Sequence, residues 1–262
     1  MTIDTIIGAI QKMAPTALQE SYDNSGLEVG DSAKVCAGVL LSVDVTPERV
    51  DEAVARGCNL IVSHHPLLFH GLKQITGATL QQQAVIRAIE AGVAVYSAHT
   101  SLDNAPGGVS AWLARDLGLH YLGPLCPAGK DTPDAGAGAI AASPEPLTAI
   151  QLVERVKKAC ASPVCRCTRP PEGTVITRVA MCGGSGGSMI PDAIAAGAQA
   201  YITSDVRYHD FLDYGDRIFI IDIGHFGSES CTKRIFYHII TQKFPNFAVH
   251  YSDSEKNPIN YI

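Results

Sequence analysis

Apolar residues recur with the helical period in some segments of this chain and form short, strand-like runs in others. The pattern predicts helices that alternate with strands. The predicted order is helix 2–13, strand 38–43, helix 46–57, strand 59–62, helix 80–91, strand 93–96, helix 109–117, helix 147–159, strand 175–181, helix 189–196 and strand 217–223. Thr46 is a good N-cap residue, and Pro47 is suited to the first helical turn. Helices that alternate with strands favour parallel βαβ units and therefore an α/β fold.

A break in this rhythm divides the chain. Residues 122–171 are rich in Pro, Gly and Ala and contain one clear helical pattern. We therefore predict a first α/β domain over residues 1–124 and a second over residues 125–229. We expect residues 230–262 to form a C-terminal segment that packs back on the first domain.

A weak internal repeat relates residues 50–63 to residues 190–203. Both copies read as a helix, a glycine stop and a strand, followed by His64-His65 in one copy and Ser204-Asp205 in the other. Any two βαβ units could show the same order of elements without a duplication. If the duplication is real, the fold is two similar, interlinked three-layer α/β halves with the functional site between them, and this is the architecture we predict.

Composition limits the class of protein. A chain of 262 residues with 46% hydrophobic and 18% charged residues is typical of a globular protein of one or two domains. The net charge of −6 gives no support to non-specific binding of nucleic acid or anionic membranes. No apolar run approaches the roughly 18 residues of a membrane span, and the N-terminus does not resemble a signal peptide. We therefore expect a cytoplasmic protein.

The eight cysteines include no Cys-x-x-Cys motif, so we interpret them as reduced thiols. Cys165-Arg166-Cys167 could form a soft-metal or redox pair. The alternative, a variable surface segment, is the one we favour.

Three distant segments place metal-ligand residue types just after an apolar strand. They contain His64 and His65, His99 and Asp103, and His225 and Glu229. Ligands of open α/β sheets bind beyond the carboxyl ends of the strands, so these side chains would converge if the strands share a sheet. Imidazole and carboxylate ligands together suit zinc, iron or manganese. Six ligands exceed the needs of one tetrahedral ion, so we predict two divalent metal ions per chain.

Local geometry supports the ligand assignments. Adjacent residues in a strand point to opposite faces, so His64 and His65 can serve one cluster only where the strand ends. His225 and Glu229 are spaced i, i+4 and share one face if a helix begins after Gly224. His99 is either a ligand or a hydrogen-bonded support for one.

A glycine-rich stretch, residues 182–188, lies between a predicted strand and a predicted helix. Backbone amides in such a loop can hold phosphate, so Gly184, Ser185 and Gly186 are candidate substrate-binding residues. A tight turn is the alternative interpretation.

Further polar residues are candidates for supporting roles. Asp205, Tyr208 and His209 could move protons or orient substrate, or Asp205 could cap a helix while Tyr208 packs. They stand with His99 as catalytic candidates. Asp23, Asp44 and Asp222 could support ligands, although we favour purely structural roles for them.

These motifs resemble the GTP cyclohydrolase 1 type 2 homologue family, the interacting-factor-three-like proteins with a dinuclear metal centre. The segments that carry the resemblance are residues 22–27, 63–67, 99–103, 203–209 and 224–229. The resemblance implies that His65 and Asp103 hold one metal and that His64 and His225 hold the other, with Glu229 bridging both. It also implies a homohexamer. Residues 125–170 are too few for the domain that longer members of the family carry there, so the chain resembles the short form.

The function implied is a metal-dependent hydrolase that acts on a nucleotide, with GTP the first candidate, or on a related small molecule. Two other classes stay open. The protein could be a non-enzymatic metal-handling or scaffold protein, or a ring that encloses nucleic acid, which the acidic composition disfavours.

Overall fold

The computed structural model describes residues 1–130 and 132–262. The α-helices are α1 (Ile3–Gln11), α2 (Pro47–Ala55), α3 (Leu80–Ala91), α4 (Thr100–Asp103), α5 (Val109–Asp116), α6 (Ala149–Ala159), α7 (Ile190–Ala195), α8 (Tyr208–Tyr214), α9 (His225–Glu229) and α10 (Thr232–Lys243). The strands are β1 (Gly26–Val29), β2 (Val39–Ser42), β3 (Leu60–Ser63), β4 (Ala94–Ser97), β5 (His120–Gly123), β6 (Cys126–Gly129), β7 (Thr132–Ala137), β8 (Ala139–Leu147), β9 (Arg166–Cys167), β10 (Ile176–Ser185), β11 (Ala200–Ser204), β12 (Phe219–Asp222) and β13 (Val249–Tyr251). Short 3₁₀ helices occupy Thr16–Leu18 and Gly187–Met189.

The chain forms two compact units. The first contains Met1–Leu102 and Thr232–Pro258, and the second contains Asp103–Cys231 and Ile259–Ile262. Thr232–Pro258 therefore return to the first unit, whereas Ile259–Ile262 belong to the second. The domain boundaries near residues 124 and 229 stay predictions, because a compact unit is not by itself an independently folding domain.

The first unit is built on a five-stranded sheet in the order β1–β4–β3–β2–β13. β13, β2, β3 and β4 are parallel, and β1 is antiparallel to β4 at the edge. One face packs Leu40, Ile61 and Val95 against apolar side chains of α2 and α3. Because side chains alternate along a strand, Val39 and Leu41 face the other way, and α10 contacts β2 and packs against α1.

The second unit is built on a six-stranded sheet in the order β5–β8–β10–β11–β12–β9. β10, β11 and β12 are parallel, whereas β5, β8 and β9 pair antiparallel with their neighbours. Side chains of α5 and α6 cover one face. Those of α7 and α8 cover the other, around Ala180, Tyr201 and Ile220. Each unit therefore has helices on both faces of a mixed sheet.

The predicted α/β class is confirmed. Each sheet is mixed, because antiparallel strands join the parallel βαβ run at its edges. Residues 122–171 differ from the prediction, because they contain β6, β7, β8 and β9 as well as the predicted helix. Their Pro and Gly residues hid these strands from the sequence pattern. β6 and β7 form a separate two-stranded sheet.

The predicted repeat corresponds to the same order of elements in each unit. The first unit runs β2, α2, β3, α3, β4, and the second runs β10, α7, β11, α8, β12. Each run is three parallel strands joined by helices, so the carboxyl ends of those strands lie at one edge of each sheet. The candidate ligand residues follow these ends. Within residues 1–130 and 132–262, no helix is both long and apolar enough to cross a membrane.

Candidate metal centre

Three histidines of the first unit meet beyond the ends of β3 and β4. The side-chain nitrogens that His64, His65 and His99 could offer to a metal all lie within 4.8 Å of one another. The rings of His64 and His65 are 5.1 Å apart between centroids. β3 ends at Ser63, so both histidines lie where the chain leaves the strand, as the sequence predicted. These three residues could hold a metal ion.

Each of these histidines has its Nδ1 atom engaged by an oxygen. His64 Nδ1 lies 3.1 Å from the carbonyl oxygen of Ala98. His65 Nδ1 lies 2.8 Å from Asp44 Oδ1, and His99 Nδ1 lies 2.8 Å from Asp23 Oδ1. An oxygen acceptor at Nδ1 favours the tautomer that leaves the Nε2 lone pair for a metal, and it fixes the orientation of the ring.

Asp23 is the most strongly held of these acceptors. Its side chain is fully buried. Its Oδ2 atom accepts hydrogen bonds from the backbone and hydroxyl of Thr100 and from Ser25 Oγ. Burial alone would raise the pKa of Asp23, but hydrogen bonds from His99 and Thr100 hold this pKa well below its usual value. Asp23 is therefore an anion across the physiological pH range.

In the second unit, α9 presents His225 and Glu229 on one face, as the i, i+4 spacing predicted. His225 Nε2 and Glu229 Oε2 are 3.0 Å apart, and the Glu229 side chain is 3% exposed. Gly224 precedes the helix with a φ of +84°, a backbone conformation that favours glycine. A cation bound beside this carboxylate would balance its buried negative charge.

His225 shows the same support at Nδ1. Asp205 Oδ2 lies 2.5 Å from His225 Nδ1. Asp205 follows β11 and has a φ of +55°, an uncommon conformation for a residue other than glycine. The contact with Asp205 can orient the imidazole of His225, while the catalytic role proposed for Asp205 from the sequence stays a prediction.

Asp222 anchors the two turns that carry this pair. It ends β12 and is 4% exposed. Its Oδ2 atom accepts a hydrogen bond from the backbone N–H of Val206 at 2.9 Å and forms an ion pair with Arg166. Its Oδ1 atom accepts a hydrogen bond from the N–H of Gly224 at 3.0 Å. The structural role favoured from the sequence thus fits Asp222. Asp23 and Asp44 instead contact His99 and His65, two residues that the sequence put forward for the metal site, so their roles stay predictions.

Asp103 ends α4 and is half-buried. Its carboxylate and that of Glu229 both act on the thiol of Cys182. Burial raises the pKa of this thiol far above its usual value, and the two anions raise it further. Cys182 therefore stays a neutral thiol at neutral pH.

The glycine-rich stretch packs inside the second unit. β10 extends through Ser185, so four residues of the predicted loop belong to the strand. Gly184 N–H donates to Ser228 Oγ at 2.9 Å, and Gly186 carbonyl oxygen accepts from the Tyr201 hydroxyl at 2.8 Å. Gly184 has a φ of +66°, and a Cβ there would collide with Glu229 Oε1. Gly184 therefore makes room for Glu229, while the substrate role of Gly184, Ser185 and Gly186 stays a prediction.

Tyr208 and His209 point to solvent rather than into a cluster. Tyr208 is 73% exposed and lines an open groove of about 850 Å³ with Phe211 and Leu212. His209 is exposed, and its ring lies 5.4 Å from that of Tyr208. In the described part of the chain neither side chain makes a hydrogen bond, so their catalytic roles stay predictions.

The donor set fits the divalent metals expected from the sequence. It combines imidazole nitrogens with carboxylate oxygens, the mixture preferred by zinc, iron and manganese. Four histidine rings have an oxygen beside Nδ1: a carbonyl at His64, and a carboxylate at His65, His99 and His225. This support is usual for metal-bound histidine. The sequence pattern contained no sign of the contacts from Asp44 and Asp205, because they join positions about 20 residues apart.

Comparisons with known proteins show which family this chain belongs to. The family model of Duf34/NIF3 (NGG1p interacting factor 3) matches residues 1–258. The GTP cyclohydrolase 1 type 2 homolog of Clostridium acetobutylicum is 33% identical over 230 residues, which cover 87% of this chain and 85% of that protein. The homolog of the same name from Lactococcus lactis is 30% identical over 267 residues, which cover 98% of each chain.

Solved structures show the same fold. The crystal structure of Staphylococcus aureus hypothetical protein SA1388 has a TM-score of 0.90 and 26% identity, and the match covers 100% of this chain and 99% of that one. Reduced HcgD from Methanocaldococcus jannaschii has a TM-score of 0.81 at 22% identity, with 97% and 98% covered. The family resemblance seen in the sequence is thus confirmed, and the chain belongs to the Duf34/NIF3 (NGG1p interacting factor 3) family.

Proposed function

We propose that this protein binds two divalent metal ions and uses them to hydrolyse a nucleotide or a related small molecule. One observation carries the proposal. Histidines in both units have Nδ1 held by a carboxylate, at His65, His99 and His225. Imidazoles supported in this way are typical of metal ligands.

The proposed ligands are His64, His65, Asp103, His225 and Glu229. The family resemblance supports His65 and Asp103 for one ion, His64 and His225 for the other, and Glu229 as the bridge. His99 either joins the first-unit histidines as a ligand or supports them. Zinc, iron and manganese all suit this set.

The protein's own residues would prepare the centre. Asp44, Asp23 and Asp205 keep three imidazoles in the tautomer that can coordinate, and Gly184 leaves the space that Glu229 occupies. When bound, a pair of divalent ions supplies Lewis acidity and lowers the pKa of a coordinated water to near neutrality.

The substrate class follows from the relatives' name. Several relatives are called GTP cyclohydrolase 1 type 2 homolog. GTP is therefore the first substrate to test, followed by other nucleotides and phosphate esters.

The test has a binding step and a turnover step. Elemental analysis of protein purified without chelator and reconstituted with zinc, iron or manganese should approach two ions per chain, and a content near zero would overturn the proposal. The metal-loaded protein and its Glu229→Ala variant are then compared in an untargeted metabolite screen that starts with GTP. Turnover by the wild type alone supports hydrolysis, whereas full metal loading without turnover favours the metal-handling alternative.

We further propose that the protein acts in the cytoplasm as a homohexamer. All eight cysteines are free thiols, as expected for a reducing compartment. The hexamer rests on the family resemblance. Light scattering coupled to gel filtration should give six times the mass of the 27.7 kDa chain, and a monomer at micromolar concentration would contradict it.

A further inference from the structure

A buried ion pair lies beside the carboxyl end of β2 in the first unit. Glu255 follows β13, and its side chain is 1% exposed. Its Oε2 atom lies 2.6 Å from Nζ of Lys233 on α10, and the Lys233 side chain is 16% exposed. A carboxylate is costly to bury, so its other contacts decide what it does there.

The second oxygen of Glu255 binds the turn that follows β2. Oε1 accepts the backbone N–H of Val43 at 2.8 Å and that of Asp44 at 3.0 Å. Two amides on one oxygen fix the direction in which the chain leaves the strand. Glu255 therefore determines where the Cα atom of Asp44 lies.

Asp44 in turn orients His65. Its Oδ1 atom lies 2.8 Å from His65 Nδ1, yet the Asp44 side chain is 47% exposed. The side chain projects from the backbone of this turn, so the position of its carboxylate depends on where that backbone lies.

The position of Glu255 is itself well determined. β13 pairs with β2 in parallel, with Tyr251 opposite Leu41. Glu52 of α2 then accepts hydrogen bonds from Ser252 Oγ at 2.7 Å and from the Asp253 N–H at 2.9 Å. The segment is thus held on both sides immediately before Glu255.

We infer that Glu255 is a positioning residue for His65, acting through Asp44, so that the end of the chain sets the geometry of a proposed metal ligand. The inference rests on the proposed metal-binding function. Outer partners of metal ligands commonly change metal affinity by about 10–100-fold. Glu255 is one step further away, so we expect a smaller effect, of about 3–10-fold.

The experiment measures Zn²⁺ affinity by competition with a chromophoric chelator, together with the visible absorption spectrum of the Co²⁺-loaded protein. Glu255→Gln should weaken Zn²⁺ binding about 3–10-fold and shift the Co²⁺ spectrum. The control is Glu145→Gln, which removes an exposed carboxylate whose nearest cation, Arg155, is 3.7 Å away. The control should leave affinity and spectrum unchanged.

A double variant separates positioning from general loosening of the fold. In an Asp44→Asn background, adding Glu255→Gln should change affinity less than twofold, because Glu255 acts through the carboxylate already removed. Equal losses in both backgrounds would overturn the inference. Glu255→Asp, which keeps the charge but shortens the side chain, provides the same comparison if Glu255→Gln does not fold.

The remaining outcomes distinguish this inference from the proposal beneath it. A wild type that binds no Zn²⁺ or Co²⁺ overturns the proposed function. A wild type that binds both, with a Glu255→Gln variant of equal affinity, overturns only the role of Glu255.

Discussion

The carboxylate of Glu229 occupies the space that a side chain at Gly184 would need. Gly184 also has a φ of +66°, and its N–H donates to Ser228, the neighbour of Glu229. The glycine-rich end of β10 is therefore shaped around the proposed bridging ligand. This relationship gives a direct test of why glycine is present.

Gly184→Ala should destabilise the protein by about 3 kcal/mol, from the left-handed backbone and from the collision with Glu229. It should also weaken Zn²⁺ binding about tenfold or more, because Glu229 must move. Gly197→Ala is the matched control: Gly197 has a φ of +73° but no atom within 4 Å of the added Cβ. Gly197→Ala should lower the unfolding free energy by only about 1–2 kcal/mol and leave metal affinity unchanged. Urea unfolding and chelator competition measure both quantities, and similar metal affinities in the two variants would refute the explanation.

Asp205→Asn should separate metal affinity from stability. Asparagine tolerates the φ of +55° as well as aspartate does, but it removes the charge beside His225. We expect Zn²⁺ affinity to fall by about 10–100-fold with little change in the free energy of unfolding. Asp213→Asn, at an exposed position on α8, is the control. Unchanged affinity in Asp205→Asn would show that this contact does not prepare the ligand.

Asp222→Asn should be costly because Asp222 is buried and accepts two backbone N–H groups. We expect a loss of about 2 kcal/mol in unfolding free energy. Arg166→Gln removes the cation that pairs with Asp222. Because the Arg166 side chain is 62% exposed, the unfolding free energy of this variant should fall by less than about 1 kcal/mol. Denaturant titration compares the variants. Equal losses would mean that the ion pair, rather than the anchoring of the two turns, accounts for the stability.

Glu28 predicts a pH dependence of stability. Burial raises the pKa of Glu28 from 4.5 to about 7, although hydrogen bonds from the Leu68 backbone and from Ser97 partly oppose this. The folded state thus binds the proton more tightly than the unfolded state, so stability is full below about pH 4.5 and falls as pH rises through about 7. Over this interval we expect a loss of roughly 1–2 kcal/mol that Glu28→Gln removes.

The measurement is urea unfolding of chelator-treated protein at several pH values between 5 and 8. Glu90→Gln, at an exposed position on α3, should retain the wild-type pH dependence. If wild type and Glu28→Gln lose the same stability as pH rises, Glu28 does not carry a raised pKa.

The sequence predicted what depends on neighbours along the chain. Helix α3 was predicted at its observed bounds, 80–91, from its pattern of apolar residues, and in the structure Thr79 caps its start and Gly92 ends it. His225 and Glu229 were predicted to share a face because one helical turn separates them. His64 and His65 were predicted to meet because a strand must end before both can face the same way.

Contacts between residues far apart in the chain could not be predicted from the sequence pattern. Glu255 and Asp44 are 211 positions apart, and nothing in the composition of either segment connects them. The glycine-rich stretch shows a different limit. Glycines that leave space for a neighbouring side chain have the same sequence pattern as glycines that hold a phosphate, so the space that Gly184 leaves for Glu229 could not be predicted from the sequence.

The return of the chain to the first unit has a consequence for folding during synthesis. β13 covers the edge of β2, and Glu255 completes the turn after β2, but both are synthesised after the intervening residues 103–231. Those residues make up almost all of the second unit. At cellular elongation rates the nascent first unit waits on the order of ten seconds with β2 as an open sheet edge. Exposed strand edges favour mispairing, so this interval is when the protein is most open to aggregation and to chaperone binding.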